Sequence, residues 1–142
     1  PIQPRWAAGI EGTVEVFPEF ASGLRDLDGF DRIWLLYWFD RAQPAQLEVI
    51  PYLDKQTRGV FATRAPCRPN PIGLSCVRLR AVEGTTLRLA DLDILDGTPL
   101  LDIKPYVSDF DVFHVERTGW YASAQGRTTA DGRFSEDSGI AY

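Results

Sequence analysis

Residues Gly59 to Leu79 read G-V-F-A-T-R-A-P-C-R-P-N-P-I-G-L-S-C-V-R-L, and the rest of the chain is arranged around them. Gly59 to Thr63 and Leu74 to Leu79 alternate apolar or β-branched residues with small or charged ones, which predicts two strands with a bend between them. Pro66, Pro69 and Pro71 each remove a backbone donor and push the preceding residue into extended backbone, so Arg68 and Asn70 are held nearly rigid. A bend that only joins strands is usually short and rich in Gly and Asn. This one fixes two guanidiniums, Arg64 and Arg68, and the amide of Asn70, and it ends on Gly73. It is suited to holding a ligand. The plainer reading of the same residues is a proline-stiffened surface turn with solvated arginines.

At 142 residues the chain is one domain, large enough to bury about two-thirds of its unfolded surface in a single core. No apolar run reaches the roughly eighteen residues a membrane span needs, and no basic-then-apolar leader opens the chain, so a soluble, cytoplasmic protein is expected. Cys67 and Cys76 form neither a disulfide framework nor a metal-ligand spacing. Cys67 lies between two arginines that would lower its pKa, but the single histidine, His114, is remote in sequence; a small loop residue is expected rather than a nucleophile. The net charge of −5 argues against a surface coated in nucleic-acid contacts. Its distribution is uneven. Lys55 to Ala90 carries seven basic residues against Glu83 alone, a charge of +6 where the remainder carries −11. Arg78, Arg80 and Arg88 therefore form either an ordinary solvated sheet face or an RNA-contacting one.

Outside the organising stretch, Gly9 to Phe17 reads as a half-buried strand. Pro18 to Leu27 is spaced as a short amphipathic helix stopped by Asp28-Gly29. Ile33 to Phe39, I-W-L-L-Y-W-F, is continuously apolar and predicts a central strand covered on both faces, or one whose second face meets another subunit. Ala42 to Asp54 is a loop or a one-turn helix. Val82 to Thr85 turns the chain into a hairpin strand over Thr86 to Leu92. Asp91, Asp93 and Asp96 are in the wrong register for a calcium loop, so no metal is expected and Asp96-Gly97-Thr98-Pro99 reads as a tight turn with Asp96 caught by local amides. Leu100 to Val107 is a strand whose alternation puts Asp102 and Lys104 on one face, either paired with each other or directed at a site. From Ser108 the chain reads as irregular, and residues 122–142 as a loosely ordered tail.

Two segments carry a resemblance. A-T-R-A-P-C-R-P-N-P-I-G-L-S and L-D-I-L-D-G-T-P-L-L-D-I-K-P-Y, from Leu92 to Tyr106, are similar to the two signatures of the TsaA-like family, also called TrmO and formerly YaeB. The resemblance covers residues 1–121 and implies a mainly β, single-domain small β-barrel with one or two short helices, a homodimer. It also implies S-adenosylmethionine as cofactor, bound without a Rossmann domain, and methyl transfer to N6 of the threonylcarbamoyl-adenosine at position 37 of tRNA. By the same resemblance Pro1, Ile2, Gln3, Asp40, Arg41, Arg64, Leu74, Ile94, Leu95, Asp96 and Gly97 would touch the cofactor, and Arg68, Asn70 and Lys104 the substrate. It further implies a short strand ahead of the P-x-Q tripeptide with which this sequence starts, and in longer members a C-terminal domain that helps grip tRNA, which this chain is expected not to carry.

Methyl transfer from sulfonium to nitrogen is an in-line displacement that depends mainly on holding three atoms aligned and dry. An adenine N6 is weakly nucleophilic, so a carboxylate that takes its proton would contribute about 10²- to 10⁴-fold. Asp96 and Asp102 are the candidates for that catalytic role. Arg64 and Arg68 would grip the methionine carboxylate or an RNA phosphate with bidentate hydrogen bonds. The competing readings are a cofactor-binding module without tRNA methyltransferase activity of its own, and a hydrolase using Asp91, Asp93, Asp96 and a metal.

Overall fold

Ile33, Leu35 and Tyr37 are buried while their neighbours Trp34, Leu36 and Trp38 are only half-covered or exposed, so one face of strand β2 (Arg32–Trp38) makes the core. The structure, a computed structural model, describes residues 8–52 and 54–123. The elements around β2 are β1 (Gly12–Glu15), β3 (Glu48–Val49), β4 (Arg58–Gly59), β5 (Ile72–Glu83), β6 (Thr86–Ala90), β7 (Leu100–Pro105) and one α-helical turn, α1 (Ser108–Asp111). Five strands form an antiparallel sheet in the order β1-β6-β5-β2-β7, and β3 pairs with β4 alone. The domain is thus mainly β. Strands β1 and β7 are the sheet's two edges, with no pairing between them among the described residues.

The main core gathers Leu24, Ile33, Leu35, Tyr37, Val77, Leu87 and Leu89. Each large aliphatic side chain withdrawn fully from water here contributes about 1.5–3 kcal/mol. A second, smaller cluster of Val49, Tyr52, Val60, Ala65 and Cys67 lies under the proline-rich bend. That bend is therefore anchored by its own buried side chains as well as stiffened by its prolines. Burial raises the Cys67 thiol pKa and outweighs the nearby Arg68, so this cysteine is a packing residue.

Several boundaries differ from the sequence expectations, each for a local reason. The strand expected over Gly59 to Thr63 is only β4, followed by a 3₁₀ turn Val60–Ala62. Thr63 closes that turn by donating its hydroxyl to the Val60 carbonyl at 2.8 Å, and the partner β3 offers only two residues. Pro18–Leu24 is 3₁₀ rather than α-helical and Leu27–Gly29 makes a second such turn, with Asp26 between them in the left-handed region at φ 67°. The outer face of β2 was expected to be covered or to meet another subunit; in the chain by itself it is open, with Trp38 36% exposed, Ile72 across the ladder from it 43% exposed, and Leu74, across from Leu36, 44% exposed. Irregular chain was expected from Ser108, but α1 forms because Asp111 Oδ2 accepts from the Val107 amide at 2.9 Å and from the Trp34 indole at 3.2 Å. Of the expected tail, only Ala122 and Ser123 fall among the described residues.

Strand β6 stops at Ala90, two residues short of the expected end, because Asp91 turns into the left-handed region at φ 61° and is buried. Its carboxylate accepts from the Gly9 amide at 2.9 Å and from Arg32 Nη2 at 2.8 Å, with Arg78 Nε at 3.7 Å. The Gly9 amide and the two guanidiniums hold this carboxyl below the usual aspartate range. Arg32→Ala is expected to cost about 1–2 kcal/mol in urea unfolding at pH 7, since Arg32 is one-third exposed and the pair only partly dry. The stabilisation belongs to the ionised form. The difference between wild type and variant should shrink as pH falls from about 4, the ordinary aspartate value, through the lowered value of the folded Asp91 carboxyl.

Candidate functional site

Two backbone hydrogen bonds bring three segments together at one end of the sheet. The Phe39 amide donates to the Pro71 carbonyl at 2.7 Å, and the Trp38 amide donates to the Pro99 carbonyl at 3.0 Å. The end of β2, carrying Asp40 and Arg41, is thereby clasped between the proline-rich bend and the Asp96-Gly97 turn. The turn is closed by Thr98, whose amide and hydroxyl both donate to the Leu95 carbonyl at 3.2 and 2.6 Å. Local amides were expected to catch Asp96; instead its exposed carboxylate makes no hydrogen bond among the described residues. Gly97 adopts φ +81°, a conformation that glycine reaches at no steric cost, and Arg41 Nη2 lies 3.7 Å from where a Cβ would stand. Arg41 thus sits over bare backbone.

Within the bend, Arg68 Nη1 donates to the Thr63 and Ala65 carbonyls at 2.8 and 3.3 Å, and its guanidinium lies 6.0 Å from the Phe61 ring centroid. Part of this guanidinium therefore holds the bend's own shape. Arg64 and Asn70 are exposed on it. Ile94 packs against the main core, and Leu95 is half-buried at the start of the turn.

Leu74, Asp102 and Lys104 stand elsewhere. Leu74 and Asp102 flank Leu36 in one row across the outer sheet face, and Lys104 pairs with Trp34 one step along. Asp102 Oδ2 and Lys104 Nζ meet at 3.0 Å, both exposed, so they share a face as alternation required and pair with each other. The lysine's hydrogen bond lowers the Asp102 pKa. The neighbouring aspartates are engaged separately: Asp91 with Gly9, Arg32 and Arg78, and Asp93 with Ser75. Pro1, Ile2 and Gln3 lie outside the described residues.

Sequence reasoning missed a relay of three side chains, Tyr37 and Ser75 buried and Asp93 half-buried. The Tyr37 hydroxyl lies 2.8 Å from Ser75 Oγ, and Ser75 donates to Asp93 Oδ1 at 2.7 Å. Burial is the largest influence on Asp93 and pushes its carboxyl up to about 6, against the Ser75 hydrogen bond and the charge of Arg64. The Tyr37 phenol is raised by the same desolvation and by the Asp93 charge. A signal was present: strand alternation turns Ser75 inward between Gly73 and Val77, and an inward hydroxyl needs a partner.

A mainly β domain whose bend, strand end and glycine turn meet at one sheet end, with Arg41 over bare backbone and Arg64, Asn70 and Asp96 exposed, has the character of a small polar-ligand binder. The family model of the tRNA-methyltransferase O N-terminal domain matches residues 1–112, and the chain belongs to that family. A probable S-adenosyl-L-methionine-binding protein of Pyrococcus abyssi is 60% identical over 120 residues, 84% of this chain and 65% of its own length. The mouse tRNA (adenine(37)-N6)-methyltransferase is 39% identical over 99 residues, 68% of this chain and 23% of its own. A crystal structure of TrmO from Pseudomonas aeruginosa superimposes with a TM-score of 0.69 at 42% identity, covering 84% of this chain and 53% of that one. The chain thus spans about half the length of that solved relative. No helix among the described residues is long and apolar enough to cross a membrane.

Proposed function

We propose that the cluster of Arg41, Arg64, Asn70 and the Leu95–Thr98 turn is the S-adenosylmethionine pocket of a methyltransferase acting on N6 of the adenosine at position 37 of tRNA. The threonylcarbamoyl-modified adenosine is the substrate it would take. The observation that carries this reading is the clasp of β2 by Pro71 and Pro99, which sets the two arginines, the amide and the Asp96 carboxylate at one sheet end. The group set fits the donor: guanidiniums for a carboxylate, an uncommitted acid for ribose hydroxyls or an amino group, and bare backbone at Gly97 for close approach. When bound, the cofactor supplies an activated methyl on sulfur.

The chain's own groups would orient and dry the site, and a carboxylate would remove the N6 proton. Asp96 is the candidate within the cluster. Asp102, with Lys104 and Leu74, lies on the outer sheet face, which also bears Trp38 and Ile72. A second copy seated on that apolar face in a homodimer would bring Asp102 and Lys104 to a neighbour's pocket. The seven cations between Lys55 and Ala90 supply charge for RNA phosphates, and a tRNA substrate would place the protein in the cytoplasm.

The test uses tritiated S-adenosylmethionine with tRNA carrying the threonylcarbamoyl group, and sedimentation of the same preparation for the dimer. Label in the tRNA, lost in tRNA without that group, is the expected result. Tight donor binding with no transfer would leave a binding module, the wording under which the Pyrococcus relative is named.

A further inference from the structure

Phe61 stands out of the fold where the chain enters the proline-rich bend, 75% exposed and three residues ahead of the exposed Arg64. Its mount, the 3₁₀ turn Val60–Ala62, is rigid. Val60 is buried and its amide donates to the Leu47 carbonyl at 2.8 Å, while the Thr63 hydroxyl and amide both donate to the Val60 carbonyl at 2.8 and 3.1 Å. The Trp120 indole donates to the Ala62 carbonyl at 2.7 Å, which sets the Trp120–Tyr121 ring pair against the same turn. Beside the Phe61 ring, 6.0 Å from its centroid, lies the Arg68 guanidinium, one nitrogen of which is tied to the Thr63 and Ala65 carbonyls. Ring and guanidinium are thus both held in place before anything binds. Phe110 and Phe113 are similarly exposed but have no guanidinium within reach among the described residues.

We propose that Phe61 is a base-stacking residue: its ring receives a nucleobase of the RNA substrate, and the Arg68 guanidinium beside it faces a phosphate of the same strand. This rests on RNA being the substrate of the neighbouring site. The chemistry of the patch selects that occupant. A lone exposed phenyl would suit any apolar partner, whereas a phenyl with a fixed guanidinium suits a planar ring joined to an anion, which is a nucleotide. Arg68 keeps donors for it, since Nε and Nη2 make no hydrogen bond among the described residues. The charge agrees, because Lys55 to Ala90, which holds this turn and the bend, carries +6 on a chain whose remainder carries −11. Three residues of chain span at most about 11 Å, so a base stacked on Phe61 lies at the edge of the cluster that includes Arg64 rather than across the domain. Every base has a π face, so this contact supplies affinity and leaves sequence to be read elsewhere.

Fluorescence anisotropy of a labelled anticodon stem-loop carrying the threonylcarbamoyl group, titrated with the full chain, tests the proposal. Phe61→Ala and Phe61→Leu should each weaken binding about 5- to 100-fold, the range for one stacked base, whereas Phe61→Trp should bind at least as tightly as wild type. The slope of log affinity against log salt should be the same in every variant, because a phenyl ring releases no counterions. Leucine is the deciding variant: it keeps apolar bulk and lacks a π face. Wild-type affinity in Phe61→Leu overturns the proposal, and so does a loss accompanied by a smaller salt slope, which would trace the effect to a disturbed basic surface. Sedimentation of the same proteins addresses the other occupant: a wild-type dimer that Phe61→Leu breaks would give the ring to a second copy of the chain and overturn the stacking role. Should Phe61→Ala misfold, Phe61→Leu and Phe61→Trp decide. Calorimetry with S-adenosylmethionine checks the donor pocket separately. A wild type that binds the stem-loop through Phe61 but not the donor removes the pocket and keeps the stacking residue; one that binds the donor but not the stem-loop does the reverse.

Discussion

Gly73→Ala is expected to lower the stability of the domain by about 3 kcal/mol, the largest effect of any single methyl group added to it. A Cβ on Gly73 would overlap three carbons of the Tyr37 ring, which β2 holds directly across the ladder. Neither side can yield easily. The Tyr37 hydroxyl is tied to Ser75, its ring packs edge-on against Phe39 at 5.4 Å, and Gly73 continues straight from the bend into β5. In a thermal melt the midpoint should fall by roughly 10 °C. A variant with a wild-type midpoint would mean that Tyr37 can leave its place, and the relay would then lose its first member.

Arg64→Ala should weaken S-adenosylmethionine binding roughly 10- to 100-fold, the worth of a charge-assisted hydrogen bond or a bidentate pair at a partly dry site. Arg64→Lys should recover little of this, because an ammonium cannot present two parallel donors to a carboxylate. Circular dichroism of both variants should match the wild type, since Arg64 is exposed and the bend is anchored by Ala65, Cys67 and Val60 beneath it. Calorimetry showing wild-type affinity in Arg64→Ala would move the carboxylate grip to Arg41. Arg68 is the weaker alternative, with one nitrogen already donating to the Thr63 and Ala65 carbonyls.

The central strand was legible because seven apolar residues in a row have nowhere to go in water but the middle of a sheet. Its one-sided burial was not, because periodicity cannot say what covers the second face. Asp102 and Lys104 sharing a face followed from alternation alone, as did the hairpin between β5 and β6, which Gly84 turns at φ 61°. The expected short helix over Pro18 to Leu27 forms as 3₁₀ turns rather than one α-helix, because a left-handed Asp26 interrupts it and of its apolar residues only Leu24 is buried. Along the chain Asp93 stands only beside its neighbouring acids, since spacing cannot show that one aspartate meets an inward serine 18 residues away.

By itself the amino-acid order determined that this is a β-rich domain with a stiff, cationic, proline-rich bend, because those properties follow from local sterics and from a two-residue period. Which charged groups share a site was decided only by the fold. The clasp of Trp38 and Phe39 between Pro99 and Pro71 joins segments far apart in the chain, and the inward Ser75 of β5 meets Asp93 18 residues away. Hydrogen bonds of that kind depend on where strands stop beside one another, and sheet register sets that.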